Sequence, residues 1–164
     1  MSYKTIRYFA AFVALLMTTA AFSQDEGAAL VDDPELAQAR KVLQAGREQI
    51  IREDLRLTED EAGGFWPVYR NYVAALAVVR DRKAELVTGF MQAYRDGGVS
   101  EDYAEWLIAE NFDIKKDWLQ VQKKYVRKFR KVLPAVKVAR FYQLENKMDA
   151  EVDAQLALVV PLVE

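Results

Sequence analysis

Apolar residues along this chain return every three or four positions in four long stretches, separated by short breaks rich in acids, Gly or Pro. That period is the mark of amphipathic helices. Asp33-Pro34-Glu35 opens the first stretch with a capping Asp, a Pro where a missing N–H costs nothing, and an acid beside the positive end of the helix dipole. The pattern predicts a helix from Pro34 to about Leu55. Leu36, Leu43, Ile50 and Leu57 recur every seven residues, Ala39, Val42 and Ile51 widen the stripe, and Arg40, Arg47 and Glu48 fall on the wet side. Gly46 weakens its middle.

Thr58 with Glu61 makes a capping box, reinforced by Glu59 and Asp60, and starts a second helix. Its stripe is Phe65, Tyr69, Tyr72, Leu76, Val79, Leu86, Phe90 and Tyr94, aromatics whose helical spacing marks them as core. Pro67 removes one ladder bond and crowds the carbonyl of Gly63, which predicts a kink there. Phe65 and Trp66 point about 100° apart on a helix, so at most one faces the centre of the core and the other meets a second element or water. That would let Trp66 line a shared groove or a dimer seam. Asp96-Gly97-Gly98 ends this helix, and Ser100 caps a third that runs to about Val132. In it Leu107, Ile114 and Val121 share one heptad position, and Trp118, Tyr125 and Val132 another, so it should pack lengthwise on a neighbour. Pro134 then takes the first position of a fourth helix with the stripe Val138, Phe141, Leu144/Glu145, Met148, Val152 and Leu156. Pro161 stops it, and the apolar tail Leu158 to Val163 is expected to dock on the bundle.

These elements make residues 33–164 a single all-α domain of four main helices. Leu57-Thr58-x-x-Glu61-x3-Phe65-Trp66 also echoes Leu133-Pro134-x-x-Lys137-x3-Phe141-Tyr142 at an offset of 76 residues. The echo suggests two helical hairpins, the first and second helices in one half and the third and fourth in the other.

The amino terminus follows different rules. Lys4 and Arg7 precede a charge-free run from Phe9 to Phe22, and Ala21-Phe22-Ser23 is a small-x-small site, so residues 1–23 read as a cleavable secretory signal and 24–32 as a mobile leader. A charge-free run of 14 residues falls short of the roughly 20 that span a bilayer. Export of a protein without Cys places its stability in packing and suits a periplasm.

Composition narrows the chemistry. With no Cys and no His, thiolate nucleophiles, imidazole bases and the usual soft or imidazole metal ligands are excluded. The carboxylate pairs around Glu101, Asp102, Glu105, Glu110 and Asp113 are accounted for by the start of a helix. No enzyme activity, cofactor or metal is therefore expected. Charge is unevenly spread: Lys115 to Arg140 holds ten basic residues and one acid, Asp117, whereas Asp25 to Glu61 holds eleven acids and five bases. One reading is that the basic run is solvated or packs on the acidic corner between the first two helices. The other is a docking face for unfolded or acidic polypeptide, or for anionic lipid, in which Lys116, Lys123, Lys124, Arg127, Arg130 and Lys131 supply charge and Trp118, Tyr125 and Phe129 supply apolar contact. Export argues against nucleic acid.

An exported, Cys-free, four-helix chain with Leu57-Thr58-Glu59-Asp60-Glu61 at a helix start resembles the periplasmic Spy/CpxP family, which carries two LTxxQ motifs at helix starts. Glu61 stands at the first Gln position; in the second motif Leu133 is kept, Pro134 replaces Thr and Lys137 replaces Gln. The likeness covers about residues 35 to 157. It implies a thin curved homodimer of helical hairpins with a basic, partly apolar concave face. It further implies ATP-independent binding of unfolding proteins, or of an acidic sensor domain, during envelope stress.

Overall fold

The computed structural model describes residues 34–163. The expected signal, leader and Asp33 cap lie outside the described residues, as do the side chains of Leu36 and Ala39. Four helices and no strand are found among the described residues: α1 (Pro34–Leu55), α2 (Glu59–Arg95), α3 (Glu101–Phe129) and α4 (Ala135–Val159). The fold is all-α, as the apolar periodicity predicts.

Local chemistry sets the boundaries. Arg56, at φ 47°, closes α1 in the left-handed region. The capping box at the start of α2 forms in full: the Glu61 N–H donates to Thr58 Oγ1 at 3.3 Å and the Thr58 N–H donates to Glu61 Oε2 at 2.9 Å. The α2–α3 turn is made by Gly97 and Gly98, at φ 115° and 118°, values that a side chain would resist. The Gly98 N–H donates to the Ala93 carbonyl at 3.1 Å and so closes the end of α2. Ser100 caps α3 through the Tyr103 N–H. α3 stops at Phe129, three residues before the expected end, because 130–132 tighten into turns before Leu133. Pro134 sits one place outside α4 and accepts its first helical bond from the Val138 N–H. α2 runs through Pro67 without interruption, so the loss of one ladder bond does not break it.

The single domain expected over 33–164 packs as two compact units. One holds α2, α3 and the start of α4 (57–138, with 159–164). Here α2 and α3 pack along their length as a hairpin. Phe65, Tyr69, Tyr72, Leu76 and Val79 of α2 are buried against Ile114, Tyr125 and Phe129 of α3. The Phe129 ring lies 5.4 Å from that of Phe65 and 5.7 Å from that of Tyr72, and each such burial stabilises by roughly 1.5–3 kcal/mol. The second unit combines α1 with 139–158 of α4. Ile50, Ile51 and Leu55 are buried in it, as are Phe141, Leu144 and Met148. The packing partners are thus α2 with α3 and α1 with α4, not the consecutive halves that the 76-residue echo suggests.

Three further expectations change. Arg47, placed on the wet face by periodicity, is buried and donates to Asp149 Oδ1 at 2.6 Å and Glu145 Oε2 at 3.5 Å. Val42 is exposed rather than part of the stripe. The tail is only partly covered: Leu158 is 79% and Leu162 85% exposed, while Val160 and Pro161 are half-buried.

Candidate functional site

α3 decides which of the proposed site residues face outward. Its core stripe is set by Ile114 and Tyr125, and the aromatics proposed for binding fall on that same stripe. Phe129 has no exposed surface and Tyr125 is 5% exposed, its hydroxyl donating to the Asn71 carbonyl at 2.8 Å. Trp118 is half-buried beneath the Arg80 guanidinium, 5.3 Å from its ring. Tyr125 and Phe129 are therefore corrected from binding residues to core: heptad spacing aims them at α2, and the outer edge of Tyr125 is covered by Lys128, 4.4 Å from the ring.

The cations behave differently from the rings. Lys123, Lys124, Arg127, Arg130 and Lys131 are all exposed and make no ion pair among the described residues. Gln120, Lys123, Lys124 and Arg127, at helical offsets of three and four, line an open concavity of about 310 Å³. Lys116 is exposed beside Asp113, 3.7 Å away, a contact that solvent leaves weak. Other members of the basic run are spent within the fold. Arg82 of α2, for its part, holds Glu110 and Asp117 of α3 at 2.9 and 2.6 Å, hydrogen bonds that raise the guanidinium pKa. Asp117, the one acid of the run, is thereby drawn towards α2.

Apolar contact beside the cations comes from residues that the sequence reading passed over. Ile108, Phe112 and Leu119 are 55%, 64% and 48% exposed. At about 100° per residue they fall within some 40° of one another, about 130° round the helix from the core stripe. α3 therefore carries two apolar stripes, one buried and one bare. Lys115, over the Phe112 ring at 5.4 Å, borders the bare stripe on one side; Lys116, Lys123 and Arg127 border it on the other. The offsets 108, 112 and 119 were a visible signal, masked by the stronger heptad next to it.

Two of the motif positions singled out in the sequence, Glu61 and Lys137, meet in the structure. Lys137 Nζ donates to Glu61 Oε2 at 2.5 Å, joining the two residues that stand where the resemblance has Gln. The Lys137 hydrogen bond, then the Thr58 backbone N–H, hold the Glu61 carboxyl below its ordinary range. Glu61 and Lys137, 76 residues apart, thus form an ion pair. Leu133 is buried and Leu57 half-buried, while Thr58 and Pro134 are exposed. In the other unit Arg140 reaches the Asp54 carbonyl at 2.8 Å and its Oδ1 at 3.1 Å. Lys137 and Arg140 are therefore spent on acids at the α1–α2 corner, as one of the two sequence readings expects, whereas the α3 cations are not.

No described helix is long and apolar enough to cross a membrane. No family model, curated protein or solved structure matches the chain.

Proposed function

We propose that this is an exported, periplasmic, non-enzymatic binding protein that holds unfolded or acidic polypeptide on the outer face of α3 without ATP, in the manner of the Spy/CpxP family it resembles. One observation carries the reading: exposed cations without acid partners border an exposed row of Ile108, Phe112 and Leu119 on the same helix. Unfolded segments present apolar side chains and charge together, and a surface offering both in one strip can hold them weakly and without sequence preference. Lys123, Lys124 and Arg127 attract; Phe112 and Leu119 shield.

Purified protein should suppress aggregation of a chemically denatured client at near-stoichiometric ratio with no nucleotide. Combined Lys123→Glu, Lys124→Glu and Arg127→Glu should weaken suppression several-fold, and Phe112→Ser with Leu119→Ser should do the same without altering net charge. Failure to suppress at several-fold excess would overturn the proposal. A second reading, adsorption to an anionic membrane surface, draws support from the lysines that border the apolar row. Salt-reversible retention by vesicles containing phosphatidylglycerol, with no effect on client aggregation, would favour it.

A further inference from the structure

The concavity on α3 lined by Gln120, Lys123, Lys124 and Arg127, about 310 Å³ and open to solvent, differs in kind from the apolar row beside it: no acid and no apolar residue line it. Its four side chains leave the helix within a sector of about 100° and along about 10 Å of its length. Lys123, Lys124 and Arg127 make no ion pair among the described residues. A smaller hollow between α1 and α4, about 140 Å³, offers the contrast, because there Asp54 lies beside Arg140 and takes up its charge.

Local helix energetics do not account for the cluster. Lys123 and Lys124 stand four and three residues before Arg127, offsets at which like charges repel on a helix. Both precede the last turn of α3, to which the pull of the helix dipole on cations is confined. Three bare charges are thus held together against their repulsion, which a dense anion would relieve. The lining chooses among anions. An extended polypeptide presents same-side carboxylates about every 6.5 Å, with apolar side chains that these four residues do not cover. Linked phosphates set their charges closer together and bring several acceptor oxygens on each phosphorus. Arg127 offers a planar fork for two phosphate oxygens, Lys123 and Lys124 offer point charges on either side of it, and the Gln120 amide offers a neutral donor.

We infer that this concavity binds a short chain of linked phosphates, of the inorganic tripolyphosphate kind, and that the anion displaces acidic client while leaving the row of Phe112 and Leu119 bare. The phosphate site stands on charge and geometry alone; the displacement rests on the function proposed above. Such a ligand turns off capture of acidic segments and spares capture of apolar ones.

Isothermal titration of the purified protein with sodium tripolyphosphate at about 0.05 M salt, where charge is little screened, tests the site. Saturable binding is expected, at least about tenfold tighter than that of butanetetracarboxylate, a carboxylate anion of comparable charge at about pH 8. Lys124→Gln combined with Arg127→Gln should weaken it at least about tenfold, and Arg127→Lys, which keeps the charge and loses the fork, by about threefold or more. Lys147→Gln, at an exposed lysine of α4, should change it by less than about twofold. Tripolyphosphate should also raise the melting temperature of the wild type and not that of the double variant, a readout that shows both to be folded. No saturable binding, equal affinity for butanetetracarboxylate, or indifference to the double variant overturns the site and leaves the proposed function standing. Displacement of tripolyphosphate by phosphatidylglycerol vesicles at a lower concentration of phosphate assigns the concavity to a lipid headgroup and overturns the soluble ligand. At matched ionic strength, tripolyphosphate should reduce suppression of aggregation for an acidic client and leave it intact for a neutral, apolar one. Unchanged suppression of both removes the displacement. Binding of tripolyphosphate by a protein that suppresses nothing, with or without it, removes the proposed function and leaves the site.

Discussion

Glu61 serves two structural roles with one carboxylate, accepting from the Thr58 N–H to cap α2 and from Lys137 Nζ at the entry to α4. The first role is local and legible three residues away. The second spans 76 residues and could not be read, because no local pattern links an acid at one helix start to a base at another. A folded-state pKa below the ordinary 4.5 means that the ionised form favours folding. Its stabilising contribution is complete above 4.5 and is lost as pH falls through the lowered value. Lys137→Gln should therefore lower the urea midpoint at pH 7, and the gap to wild type should close as the pH is taken well below 4.5. A gap unchanged by acid would mean that the ion pair contributes nothing. Arg47 teaches a similar lesson: helical periodicity placed it in water, whereas Asp149 and Glu145 draw it into the packing of α1 with α4.

At the scale of the element, α2 places adjacent glycines in different surroundings. A Cβ at Gly63 meets nothing within 4 Å, whereas one at Gly64 would meet Val132 Cβ and Cγ1 at 3.1 Å. Gly63→Ala should stabilise the protein by about 0.5–1 kcal/mol through helix propensity. Gly64→Ala should yield no such gain, because close packing on Val132 offsets it. Paired urea titrations separate the two, and equal stabilisation by both would show that α2 and the 130–132 turns do not pack so closely. α3 shows the limit of periodicity more sharply. Both of its apolar stripes have helical spacing, and local rules do not say which one meets α2. The heptad containing Ile114 and Tyr125 wins because it meets the ring-lined face of α2, built on Phe65, Tyr69 and Tyr72.

Across the whole chain, charge segregation is a fact of the sequence, yet its consequence depends on where each cation ends. Ten bases between Lys115 and Arg140 do not form one surface: Lys137 and Arg140 are neutralised by Glu61 and Asp54, whereas Lys123, Lys124, Arg127, Arg130 and Lys131 stay open. Capture of an acidic client should accordingly weaken as salt is raised from about 0.05 to 0.5 M, over which the screening length shrinks to a few ångströms. Capture of a neutral, apolar client should change little. Light scattering on the two clients in parallel checks this, and equal salt sensitivity would contradict a shared role for charge and the Phe112 row.

Caps, breaks and apolar periods act within about four residues, so the sequence by itself determined four helices, their ends to within a few positions, and the aromatic core of α2. Which helices pair, which stripe of α3 is buried, and which cations are spent are settled by contacts between residues tens of positions apart. No local pattern carries those distances, and only the tertiary structure could decide that Tyr125 and Phe129 turn inward while Ile108, Phe112 and Leu119 are left facing water.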